Sequence, residues 1–309
     1  MQRRLDWDRE GADWPHREAS QFIACEGLRW HVQRFACRTA SFLPAPRCLL
    51  IHGTGSSTHS WRDVVPLLQP YFEVLAIDLP GHAFTSLPAG GLSSPQLSLS
   101  GMAKALVRLL AMLDFAPQLV LGHSAGAAIG ARMAMDGTIE PRLLVSLNGA
   151  LLPLGGLAGR VFSPAARLMV LLPGMPRLFA WSASDAQVVQ RLLDSTGSTL
   201  DARGRELYGR LAANPGHAEG ALGMMASWDL PAFARDLPRL HTPLVLMVGN
   251  LDATVPPGDA DRVIARMGPG ASVSKIVLEG LGHLAHEEQP ERVVQALLGA
   301  WRTVAVSGA

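Results

Sequence analysis

The pentapeptide Gly122–Gly126, G-H-S-A-G, lies directly between an apolar run, Gln118–Leu121, and a small-residue helical pattern, Ala127–Ala134. A strand that passes into a helix through so short a turn restricts the chain to folds built on strand–turn–helix units. Glycines two residues either side of Ser124 let the backbone turn tightly without Cβ clashes. In this setting G-x-S-x-G predicts an elbow that exposes Ser124 at a helix N-terminus, where free amide protons stabilise developing negative charge.

Short apolar runs alternate with longer helical patterns along the rest of the chain. This predicts an α/β fold with a mostly parallel, doubly wound sheet covered on both faces. Expected buried strands are Cys48–His52, Phe72–Asp78, Gln118–His123, Leu143–Asn148, Leu244–Gly249 and Ser274–Glu279, with an edge-like strand at Leu28–Phe35. Leu99, Met102, Ala103, Leu106, Leu110 and Leu113 recur at helical spacing. A last helix is expected from Pro290, burying Val293, Val294, Leu297 and Trp301. Between about Leu151 and Leu230 strand character vanishes, and short helical patterns are broken by Pro153, Pro164, Pro173, Pro176 and Pro215. Residues 1–150 and 231–309 therefore read as two parts of one core, and 151–230 as a helical cap over the sheet's carboxyl edge, where ligands bind in such folds.

Of the 309 residues 48% are hydrophobic and 17% charged, with a net charge of +1. That balance gives no electrostatic case for nucleic acid. A mean hydropathy of +0.19 points to a large core, an apolar cavity or a surface resting on something greasy. Charges throughout Met1–Glu10 argue against a secretory signal, and no run of about 18 apolar residues reads as a membrane span. Cys25, Cys37 and Cys48 are odd in number and lack C-x-x-C spacing, the pattern of a reducing, cytoplasmic setting without structural disulfides.

A serine hydroxyl needs a base, and the base a third group that holds its tautomer. On this architecture the chain order is Ser, acid, His. His283, in G-L-G-H-L, follows the last strand, and Asp252, in G-N-L-D-A-T-V-P, follows the strand ending at Gly249. Ser124, Asp252 and His283 thus converge on one sheet edge as expected catalytic residues. Asn148 occupies the other place from which an acid might reach the histidine, but an amide carries no charge to stabilise imidazolium. Oxyanion donors are expected from the Ala125 amide and, in H-G-T-G, the Thr54 amide. His286 and Glu287 invite a metal reading with His283, yet H-x-x-H-E is not the zincin H-E-x-x-H, so no metal or cofactor is expected. Asp78–Phe84, D-L-P-G-H-A-F, closes another strand beside the same cavity. Candidates to line that cavity are His52, Gly53, His123, Phe84, Trp181, Met225 and Trp228, with His123 and His82 read as packed or hydrogen-bonded rather than chemical.

H-G-T-G, D-L-P-G-H, G-H-S-A-G, G-x-x-D-x-x-V-P and G-x-G-H-x-x-x-x-E-x-P together resemble the α/β-hydrolase superfamily with a helical cap, over about residues 20–305. The family's D-L-P-G-H-G has Ala83 in place of its last glycine, which puts the local loop shape in question. Its dehalogenase and epoxide-hydrolase branches place an aspartate where Ser124 stands. Outside those motifs, Asp13–Ser20, Gly53–Arg62, Ser146–Pro153, Leu178–Trp181 and Gly220–Asp229 resemble the magnesium-chelatase accessory proteins of bacteriochlorophyll biosynthesis (the BchO type). That resemblance implies a role around magnesium insertion into protoporphyrin IX in photosynthetic bacteria, with the chelatase as partner. Either a serine hydrolase of an ester or thioester, a non-catalytic tetrapyrrole carrier or a general carboxylesterase fits it. Met169, Met175, Met224 and Met225 with Phe162, Phe179, Trp181 and Trp228 suit either a flat apolar ligand or the cap's own core. Leu168–Leu172 and Leu178–Trp181, flanked by Arg167 and Arg177, suit a peripheral membrane contact. Mg²⁺ wants oxygen ligands, and the candidate cluster is histidine-rich.

Overall fold

The computed structural model describes residues 3–39, 44–153, 172 and 174–307. Its strands are β1 (Ser20–Cys25), β2 (Leu28–Phe35), β3 (Arg47–Ile51), β4 (Glu73–Ile77), β5 (Leu119–His123), β6 (Leu143–Leu147), β7 (Leu244–Gly249) and β8 (Val273–Leu278). They form one sheet in the order β1-β2-β4-β3-β5-β6-β7-β8. β1 and β2 pair antiparallel with each other, as do β2 and β4, and every later pairing is parallel. The uninterrupted apolar runs are the central strands, as helices on both faces require: β5, β6 and β7 are buried at every residue.

Helices in chain order are α1 (Val65–Leu68), α2 (Leu99–Met112), α3 (Ala125–Met135), α4 (Met175–Ser182), α5 (Ala186–Asp194), α6 (Ala202–Ala212), α7 (Pro215–Ser227), α8 (Leu230–Asp236), α9 (Asp259–Met267), α10 (Ala285–Glu288) and α11 (Pro290–Ser307). Strand alternation divides the core. Leu49 and Ile51 face α2 and α3, while Cys48 and Leu50 face Trp61, Phe72 and α11. α2 starts where the Ser98 hydroxyl accepts from the Gly101 amide at 3.1 Å, and α11 starts at Pro290 as the sequence predicts.

Two expectations need correction. Leu28–Phe35 is not at the edge: it lies between β1 and β4, with six of its eight residues buried. At one edge lies β8, expected as a buried strand at Ser274–Glu279 but buried only at Leu278, and at the other β1, which its composition does not announce. The signal was the two-residue link Glu26–Gly27, whose φ values of 53° and 73° are those of a tight hairpin turn.

Among the described residues between β6 and β7 there is no strand, only α4–α8. This insertion docks on the carboxyl edge of the sheet by close backbone approach: a methyl at Gly220 of α7 would stand 2.1 Å from the Gly81 carbonyl oxygen. The N-terminal segment braces it. Gly216 donates to the Arg3 carbonyl at 3.0 Å, Arg4 donates to the carbonyls of Gly216 and Ala83, and Arg203 and Arg210 of α6 pair with Asp13. Phe162, Pro164, Arg167, Leu168, Met169 and Pro173 lie outside the described residues.

Candidate active site

Ser124 has φ 50° and ψ −116°, a region that costs a residue with a side chain of the order of 1–3 kcal/mol. The flanking backbone enforces it. A methyl at Gly122 would stand 2.4 Å from the Ala127 nitrogen, and one at Gly126 2.0 Å from the Ile51 oxygen. The Ser124 amide is held by the Leu147 carbonyl at 3.0 Å, and its own carbonyl accepts from Ala127 and Ala150. The residue consequently occupies the N-cap position of α3, half-buried, and its side chain makes no capping hydrogen bond.

Asp252 and His283 meet as the sequence predicts. His283 Nδ1 donates to Asp252 Oδ2 at 2.8 Å, and both residues are only 6% exposed. The other carboxylate oxygen accepts the Thr254 and Val255 amides at 2.7 and 2.8 Å, so the acid is pinned and presents one oxygen to the ring. With Nδ1 occupied as donor, the Nε2 lone pair is left for a proton from elsewhere. Among the described residues no hydrogen bond joins Ser124 Oγ to His283. Asn148 is no substitute acid. Its Nδ2 donates to the carbonyls of Gly282 and His283 at 2.9 and 2.8 Å, and its Oδ1 accepts the Gly249 amide. It ties the histidine loop to the end of β7.

The H-G-T-G loop lies against the elbow, since a methyl at Gly53 would stand 3.0 Å from Ser124 Cβ. Neither the Thr54 nor the Ala125 amide has a carbonyl partner among the described residues, the state an oxyanion donor needs. His52 is fully buried, donating from Nδ1 to the Gly53 oxygen at 2.7 Å and accepting the Leu79 amide at Nε2. Because Gly53 C=O and Thr54 N–H share one peptide plane, that bond orients the Thr54 donor. His123 is likewise buried, donating from Nε2 to the His283 carbonyl at 2.9 Å. Burial pushes both imidazoles below their ordinary range, so each is neutral.

The other predicted lining residues scatter. Phe84 sits edge-on to Trp7, Trp14 and His31 in an aromatic cluster, and Trp228 is core, donating to the Leu97 carbonyl. Trp181 is 75% exposed on α4. Met225 is half-buried, whereas its neighbour Met224 reaches the site, with Sδ 3.5 Å from Thr54 Oγ1. Bulk apolar character did not separate these cases, because a core and a ligand cavity use the same side chains.

Sequence reasoning missed three polar devices. His217 of α7 accepts the Ala83 amide at Nδ1 and donates to the Gly55 carbonyl from Nε2, joining the insertion to two core loops. Buried Glu287 accepts from Ser60, Arg62 and Tyr208 of α6 at 2.9, 2.7 and 2.8 Å, and His286 Nε2 lies 2.6 Å from Ser60 Oγ. These partners engage Glu287 and the Nε2 of His286, whose buried Nδ1 has no partner among the described residues. Deep in the core, His31 bridges Asp78 at 2.7 Å and Ser20 at 3.0 Å. Burial opposes ionisation of Asp78, yet the His31 pair and the Thr58 amide hold its carboxyl at about 2.

A strained serine elbow at the carboxyl edge, beside an Asp–His pair on the loops after β7 and β8, defines a class. The chain belongs to the alpha/beta hydrolase family, whose model matches residues 48–296. It is 37% identical over 276 residues to the magnesium-chelatase 30 kDa subunit of Rhodobacter capsulatus, covering 89% of this chain and 92% of that protein. Among solved structures it resembles an alpha/beta hydrolase fold protein from Burkholderia ambifaria, with a TM-score of 0.72 at 21% identity over 97% of this chain and 100% of that one. A thermophilic esterase from Thermogutta terrifontis matches with a TM-score of 0.68 at 22% identity, covering 92% and 98%. No helix among the described residues is long and apolar enough to cross a membrane.

Proposed function

We propose that the protein is a serine hydrolase of an ester or thioester bond that works beside magnesium chelatase in bacteriochlorophyll biosynthesis. The observation that carries the chemistry is the strained Ser124 elbow packed against Gly53, with the Asp252–His283 pair on neighbouring loops. Ser124 Oγ attacks the acyl carbon while His283 Nε2 takes its proton, a contact that in apo proteins is often long and tightens with substrate. Asp252 stabilises the imidazolium, and the Thr54 and Ala125 amides hold the oxyanion, each donor contributing about 10²–10³ in turnover. His283 then protonates the leaving group, and water releases the acyl chain by the reverse sequence. The chelatase setting rests on likeness to the Rhodobacter capsulatus subunit.

The test is a fluorophosphonate probe on the folded protein. Covalent labelling at Ser124, lost in Ser124→Ala and in His283→Gln, is expected. A folded protein left unlabelled, under conditions that label a control esterase, removes the hydrolase reading. The chelatase likeness then favours a second one, a tetrapyrrole carrier, for which a Soret shift of protoporphyrin IX at micromolar protein is the measurement.

A further inference from the structure

The segment joining α5 to α6 belongs to the insertion, yet its hydrogen bonds end on the loops that carry the Asp–His pair. One carbonyl, that of Thr196, accepts both the His283 amide and the Ala253 amide, each at 3.2 Å. Two residues on, the Ser198 hydroxyl accepts the Leu284 amide at 2.8 Å. Thr199 donates to Glu288 Oε2 at 3.2 Å, and Glu288 Oε1 accepts the Gly282 amide at 2.8 Å. The fit is backbone to backbone. A methyl at Gly282 would stand 2.3 Å from the Gly197 oxygen, and one at Gly197, whose φ is +77°, 2.0 Å from the Leu251 oxygen. Leu284 packs in one buried cluster with Ala183, Val189, Leu193 and Leu200.

The 2.8 Å bond between Asp252 and His283 spans two loops that follow different strands. Its length depends on their spacing, and Thr196 is a single acceptor stapling one loop to the other. We propose that Thr196–Thr199 is the positioning element of the Asp252–His283 pair, so that the base is competent only while α5 and α6 are seated on the core. The inference deepens the hydrolase reading and rests on it. A lid hinged at this segment would pull the pair apart as it opened. Substrate therefore enters by another side, and anything that unseats α5 lowers the activity of the base.

The test uses the full chain with Gly197→Ala and Ser198→Ala, and Gln187→Ala on the exposed face of α5 as control. Rates of fluorophosphonate labelling and p-nitrophenyl butyrate turnover are measured together with the far-downfield proton of His283 Nδ1–H, identified by its loss in His283→Gln. The His31–Asp78 proton reports that the core is intact. A misplacement of about 1 Å costs on the order of 10² in rate, so Gly197→Ala is expected to lose between about tenfold and a hundredfold in kcat with KM little changed. Its His283 proton should shift or vanish while that of His31 stays. Ser198→Ala should lose less, and Gln187→Ala nothing. A folded Gly197→Ala with wild-type rates and an unmoved His283 proton overturns the proposal; if that variant does not fold, Ser198→Ala is judged by the same outcomes. Should the wild type react with neither probe, the hydrolase reading fails alone, and the proton spectra still decide whether the segment positions the pair.

Discussion

Ser124 and Asn148 both have positive φ, 50° and 47°, and each turns that conformation to use. Ser124 presents its hydroxyl at the head of α3, while Asn148 swings its amide under the histidine loop. The strain at Ser124 makes a prediction. Ser124→Gly removes the side-chain penalty but adds unfolded-chain entropy, for a net gain of about 1 kcal/mol in stability. Urea unfolding checks it, with a higher midpoint and no probe labelling expected; an unchanged or lower midpoint means the elbow is not strained. The elbow at Ser124 was legible because the glycines around it leave few alternatives. The setting of Asn148 was not, since its three partners, on the histidine loop and at the end of β7, lie more than a hundred residues away. Ala83, where the family has glycine, is held at φ 40° with its amide on His217, so the departure leaves the turn in place at a backbone cost.

At the scale of elements, helix seating depends on where glycine is needed. Gly220 lets α7 approach Gly81 at backbone distance, whereas Gly209 of α6 has nothing within 4 Å of an added methyl. Gly220→Ala is therefore expected to destabilise by about 1–3 kcal/mol, the usual cost of overpacking. Gly209→Ala should stabilise by up to about 1 kcal/mol through helix propensity. Thermal unfolding of both variants checks the contrast; equal shifts would mean that α7 is not docked on the Gly81 loop. Either helix could be anticipated from its N-cap residue, Asp201 for α6 and Asn214 for α7. Which face each buries could not, because short patterns broken by proline carry too few turns to define a stripe.

Over the whole molecule, buried imidazoles dominate the response to acid. Burial pushes His217 and His286 down to about 3 and holds His59, His82 and His123 well below their ordinary range. These groups are neutral in the fold, whereas in the unfolded chain they protonate near pH 6.5. Their contribution is complete above about pH 6.5 and is lost as pH falls toward 3, each histidine contributing up to about 1.4 kcal/mol per pH unit. Glu287, whose carboxyl burial pushes up, works in the opposite sense. Unfolding midpoints measured from pH 7.5 down to about pH 4 should fall steeply below pH 6.5, and His217→Gln should flatten the slope by about one proton. A midpoint level across that range would mean that these imidazoles are protonated in the native state.

Local chemistry was enough to place seven of the eight strands, the serine elbow and the two loops that bring Asp252 and His283 to one edge. Uninterrupted apolar runs have few ways to be buried, and glycines at fixed offsets from a serine have few ways to turn. The hairpin partner of β2, the side chains that reach Thr54, and the stitching of the insertion onto Asp252 and His283 were settled only in three dimensions. Those contacts join residues far apart in the chain through backbone amides and carbonyls. Every residue but proline carries both groups, so no residue type marks the ones that will meet.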